Sequence, residues 1–195
     1  MDWHDALKIF GGVLAMLMYA PLILDTFRKH GAGQSFAMWA LWAGLDSTVT
    51  ISLIVQRGNF WLPLGLAAGS VTLALLLLRQ GRFAWSRFET VILALVVACL
   101  AVWHYSGPQW ATVATTAAIV IAGIPGMAEL WHNPQPALGR IWAGYTIANL
   151  LALWGGAGWT IEERFAPGVF TVQTVVFVAL AYRGQPPNLT RKTPG

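Results

Sequence analysis

One apolar pattern is written twice in this chain. Tyr19-Ala20-Pro21 closes a first apolar run, and Gly123-Ile124-Pro125 closes a later one (125 − 21 = 104). Trp39, Trp42 and Asp46 return as Trp142, Tyr145 and Asn149 (149 − 46 = 103), and Pro63 returns as Pro167 (167 − 63 = 104). Landmarks kept in order with a drift of one residue mark an internal duplication. In a chain that crosses a membrane several times, such repeats are a signature of transporters, with the solute site where the repeats meet.

The material between the landmarks is membrane-like. Only 10% of residues are charged and 56% are hydrophobic, where a soluble domain carries about 25% charged residues. Spans are predicted over Leu7–Leu24, Phe36–Val55, Phe60–Leu78, Phe88–Trp103, Trp110–Trp131, Ile141–Trp159 and Pro167–Tyr182. Lipid offers no partner to an open backbone group, and these runs are too long for barrel strands, so all seven are expected to be helices. The first residues lack the basic start of a cleaved signal, so the first span is expected to stay in the mature protein.

The fourth span has no counterpart in the duplication. The expected fold is therefore an all-α membrane protein with seven transmembrane helices. Residues 1–80 form a first three-helix repeat, 81–106 a linker transmembrane helix, 107–184 a second repeat and 185–195 a disordered tail. An odd linker makes both repeats enter the membrane from the same side, so they are parallel.

Basic residues set the direction. With the N-terminus outside, the inner segments hold Arg28, Lys29, Arg79, Arg82, Arg87, Arg140, Arg183, Arg191 and Lys192, and the outer ones Lys8, Arg57 and Arg164. Nine against three obeys the positive-inside rule and puts the C-terminus in the cytoplasm, in a plasma (inner) membrane. The same placement makes the net charge of +4 an orientation signal rather than a nucleic-acid footprint. The partners expected are a small-molecule solute and the bilayer. Gly65-x-x-x-Gly69 marks a face of close helix approach, and a homo-oligomer stays open.

Asp46 falls near mid-span, where a carboxylate costs about 2.5–3.5 kcal/mol on insertion scales, so it should face the bundle interior or a wet cavity. Trp39, Trp42 and Asp46 share one helical face at i, i+3, i+7, and Trp142, Tyr145 and Asn149 repeat the arrangement. Two aromatic platforms and a polar pair at mid-membrane suit a small solute with apolar faces and hydrogen-bonding edges, such as a sugar, a nucleoside or an amino-acid-like metabolite. These six are the expected substrate-binding residues, with Asp46 also the proton-coupling group. Pro21 and Pro125 near the inner ends of matching helices are hinge candidates. Ser70 and Gln173, on the third helix of each unit, could join the pocket. Cys99 reads as inert packing in an apolar run, and His104 and His132 lack a second ligand at metal-binding spacing. No nucleophile elbow, P-loop or paired catalytic acids occur, so neither an enzyme nor a cofactor or metal is expected.

Tyr19-Ala20-Pro21-Leu22-Ile23, the basic turn Arg28-Lys29-His30 and Gly33-Gln34-Ser35-Phe36 resemble the signature of the PQ-loop and SWEET transporter group. Leu22 stands where that group usually has Gln, and the second unit is looser, with Pro125-Gly126 and Asn133-Pro134-Gln135-Pro136. The resemblance implies seven helices in three-one-three order, an outside N-terminus and alternating access around a central site. It spans sugar uniporters and proton-linked amino-acid carriers; Asp46 points to the second, the aromatic platforms to the first. Trp39-x-x-Trp42-x-x-x-Asp46 is also similar to the motif of nicotinamide riboside carriers. Receptors for retention signals share the fold, so the alternatives are a nicotinamide riboside-type vitamin carrier and a receptor that binds without transporting.

Overall fold

The computed structural model describes residues 2–29, 36–81 and 85–184. All regular structure in them is helical: α1 (Trp3–Leu17), α2 (Ala20–Lys29), α3 (Phe36–Val55), α4 (Trp61–Arg79), α5 (Arg87–Ser106), α6 (Pro108–His132), α7 (Pro136–Gly155), a π turn (Ile161–Phe165) and α8 (Ala166–Ala181). Six helical segments are long and apolar enough to cross a membrane: Trp3–Arg28, α3, α4, α5, α6 and Ile161–Ala181. The segment α7, the sixth of the seven expected spans, has 20 residues, a length of about 30 Å. It is less apolar than the other six because it holds Arg140, Tyr145 and Asn149. The chain is thus a helical membrane protein. The tail 185–195 and residues 30–35, which hold part of the PQ-loop-like signature, lie outside the described residues.

Local chemistry explains the helix ends. Ser86 caps α5, with Glu89 returning a carboxylate bond to the Ser86 amide at 2.7 Å and the Phe88 amide donating to Ser86 Oγ at 3.1 Å. Ser-x-x-Glu is the capping-box pattern. Gly107, at φ 86°, reverses the chain between α5 and α6, and Pro108 takes the first helical position of α6, where its missing N–H costs nothing.

Three expected boundaries are corrected. The first span breaks at Met18-Tyr19, so that Pro21 falls at the second position of α2 rather than inside a bent helix, a position proline accepts readily. The sixth span ends at Gly155 instead of Trp159. The seventh begins with the π turn before Pro167, where the Glu162 carbonyl accepts from the Asn59 N–H and Glu163 pairs with Lys8.

The helices close into a ring. The helix α1 packs on α4, α4 on α3, α3 on α6, α6 on α8, α8 on α7, and α7 back on α1; α5 lies outside the ring against α6 and α3. Small residues permit the closest contacts. A Cβ added to Gly12 or Gly65 would run into the backbone opposite, at Trp61 and Gly12 respectively, so Gly65-x-x-x-Gly69 is the α1–α4 face. Leu45, Val49, Leu53, Leu62, Leu73 and Leu77 are fully buried between the helices. On α5, Val91, Val97 and Leu100 are exposed, as a lipid-facing helix requires.

Candidate functional site

A cavity of about 370 Å³ sits inside the ring, and all six residues singled out in the sequence line it: Trp39, Trp42 and Asp46 from α3, and Trp142, Tyr145 and Asn149 from α7. Helical spacing puts each trio on one face, and the ring turns the two faces toward each other. Tyr19, at the break between α1 and α2, bridges them: its ring meets Trp39 edge-on at 5.8 Å and Tyr145 at 5.7 Å. Trp142 lies 5.6 Å from Tyr145 and stacks on Phe177 of α8 at 4.0 Å, nearly parallel.

The polar floor consists of two matched pairs. Asp46 is 1% exposed; its Oδ2 accepts from Ser70 Oγ at 3.2 Å, and its Oδ1 has no partner among the described residues. Asn149 is 3% exposed; its Nδ2 donates to Thr174 Oγ1 at 3.4 Å, and its Oδ1 likewise has no partner. Thr174 gives its own proton to the Phe170 carbonyl at 2.9 Å, which leaves its oxygen free to accept and fixes the orientation of the Asn149 amide. Buried acceptors without partners are rare and call for a reason.

Ser70 thus reaches the site through Asp46, while Gln173 lines the cavity itself. A Cβ on Gly69 would run into the Tyr19 ring, and one on Gly123 into the Gln173 amide. These positions share the 104-residue offset read in the sequence (123 − 19 = 104, 173 − 69 = 104), with the large and small residues exchanged between helices. Tyr19, Thr174 and Phe177 were not expected in the site. The 104-residue offset that links Ser70 to Thr174 (174 − 70 = 104) was the available signal for one of them.

The hinge candidates differ in setting. Pro21 is exposed at the start of α2, whereas Pro125 lies within an unbroken α6 and lines the cavity beside Gly126. Both Pro125 and Gly126 are exposed, so the cavity reaches the surface at this end. The opposite end is closed. Fully buried Asn59 donates its side-chain amide to the carbonyls of Ala152 (2.8 Å) and Glu163 (3.3 Å), and its backbone N–H to Glu162 (2.9 Å). Lys8 pairs with Glu163 at 3.4 Å, and Gln56 bonds Thr112 and the Pro108 carbonyl.

Among the described residues no Lys, Arg or His lines the cavity, and no cluster of His, Cys, Asp and Glu could hold a metal ion. Chemically, the site can stack planar or apolar groups and accept hydrogen bonds. Comparison with family models, with curated proteins and with solved structures gives no match for this chain.

Proposed function

We propose that this protein is a membrane transporter of a small polar solute that works by alternating access around the central cavity. The observation that carries this reading is the convergence of Trp39, Trp42, Asp46, Trp142, Tyr145 and Asn149 on one cavity within a ring of helices. The ring order supports the duplication: α4 lies between α1 and α3 as α8 lies between α6 and α7, and the cross-contacts α1–α7 and α3–α6 exchange under the same correspondence. On this reading residues 1–80 and 107–184 are two parallel repeats and α5 is the linker, in keeping with the resemblance to the PQ-loop and SWEET group. The basic residues put the cavity mouth at Pro125 on the cytoplasmic side, so the conformation is inward-facing, sealed outside by the Asn59 network. Rocking of one repeat against the other moves the opening from one side to the other.

The four aromatic residues stack on the solute, Asp46 and Asn149 bind its polar edge, and Asp46 links transport to a proton. Counterflow in proteoliposomes tests the proposal, with vesicles loaded in turn with sugars, amino acids, nucleosides and organic amines. A transporter accumulates the labelled form of at least one; a receptor on the same fold shows saturable binding and no accumulation. Asp46→Asn is expected to abolish the response of uptake to a pH gradient, and an unchanged pH profile would remove Asp46 from that role.

A further inference from the structure

We infer that the central site takes a compact organic cation bearing N–H donors, and that this cation and a proton compete for the Asp46 carboxylate, which makes the protein a proton/cation exchanger. The substrate class follows from the site itself; the exchange step rests on the transport reading above.

Charge complementarity is the first ground. Among the described residues Asp46 is the only carboxylate on the cavity wall, it is almost wholly buried, and no basic side chain of theirs stands there to balance it. The groups packed around it offer no alternative. Tyr19 and Tyr145 are the titratable residues facing it from the α1–α2 break and from α7. From α4 it meets Ser70, a neutral hydroxyl. On α5, Cys99 turns to Thr115 and Glu89 is held by Ser86. On α6, Glu129 and His132 lie at the exposed far end. A buried carboxylate without a counter-charge is costly, so whatever neutralises it must come from outside the protein. Either a proton or a cation suffices.

Hydrogen-bond polarity is the second ground. The unpartnered atoms of the floor, Asp46 Oδ1 and Asn149 Oδ1, are both acceptors. A ligand that satisfies them brings donors to both. A carboxylate or phosphate group would add acceptors and a repelling charge. The walls agree: eight aromatic side chains among the described residues line the cavity, and their ring faces attract cations placed within about 6 Å of a centroid. The free volume of about 370 Å³ holds a ring-sized cation, not a peptide.

Mutual exclusion then gives coupling. The single carboxylate is neutralised by a proton or by the cation, never by both. Reorienting the ring with neither would carry a bare charge through a low-dielectric interior, so the loaded forms cross and the empty ionised form stays. Each cycle moves one proton one way and one monovalent cation the other, with no net charge transferred.

A charge series of one shape tests this on the unmodified protein: benzamidinium, neutral benzamide and anionic benzoate, titrated by tryptophan fluorescence at about pH 8 and about pH 5.5. Benzamidinium is expected to bind at least about tenfold tighter than benzamide, benzoate not to bind, and the benzamidinium affinity to fall at the lower pH. Asp46→Asn is expected to remove that preference and its pH dependence while melting like the parent protein. Equal affinity for benzamide and benzamidinium in the parent protein would overturn the inference whatever the variant does. In proteoliposomes an outward-directed pH gradient, acidic inside, should drive benzamidinium accumulation. Counterflow of glucose with benzamidinium inert would sink the cation class and leave the transport reading standing. Tight, pH-dependent benzamidinium binding with no flux of any solute would uphold the site's cation class and overturn both the exchange step and transport itself.

Discussion

Gly69 and Gly123 show how finely the site depends on single atoms. Each leaves room for a larger neighbour, Tyr19 in one case and Gln173 in the other. Gly69→Ala would push the Tyr19 ring, which touches both Trp39 and Tyr145, and is expected to destabilise by about 1–3 kcal/mol and to weaken solute binding. Gly44→Ala serves as the control on a neighbouring helix. The nearest atom to its new methyl is Val96 Cγ1, at 3.9 Å, so it should be neutral or gain up to about 1 kcal/mol of helix propensity. Melting curves of the two variants in detergent check the contrast; a Gly69→Ala protein as stable as Gly44→Ala would refute the close packing.

The ends of α3 and α4 show elements under tension with their neighbours. Arg57 follows α3 with φ 57°, and the bonds Gly58 N–H to Leu53 and Arg57 N–H to Ile54 form a Schellman-type stop. Such a stop prefers glycine at the left-handed position, yet the glycine stands one residue later. Gly58 is needed where it is, because a Cβ there would strike the Glu162 carbonyl. Arg57→Gly is therefore expected to raise stability by about 1 kcal/mol, seen as a higher melting temperature. Asn59→Ala should act the other way. It removes a buried amide that holds the start of α4 to α7 and to the π turn, a loss of about 1–3 kcal/mol, and frees the sealed end.

Taken as a whole, the ring has one open and one closed end, and that asymmetry can be read by thiol chemistry. Cys99 is the sole cysteine and is buried, so Cys99→Ala gives a clean background. Leu138→Cys, at the open end of the cavity, is expected to react with a hydrophilic maleimide and to be protected by bound solute. Ala152→Cys, fully buried beneath Asn59, is expected to stay unreactive. Equal labelling rates would show that the molecule is not closed at the Asn59 end.

The helices and the two trios were legible along the chain for a local reason. Lipid forbids an open backbone, so an apolar run of sufficient length must be helical, and i, i+3, i+7 spacing forces Trp39, Trp42 and Asp46 onto one face wherever that helix goes. The break at Met18, the early π turn, the Ser70–Asp46 bond and the placing of α4 between α1 and α3 were not legible. They depend on contacts between distant segments: Gly12 against Gly65, Tyr19 in the space above Gly69, Asn59 reaching Ala152 across the ring. Residue type tells where such contacts are affordable, as Gly65-x-x-x-Gly69 did. Only packing in three dimensions selects the partner, because close approach is a property of two surfaces, and one chain segment holds just one of them.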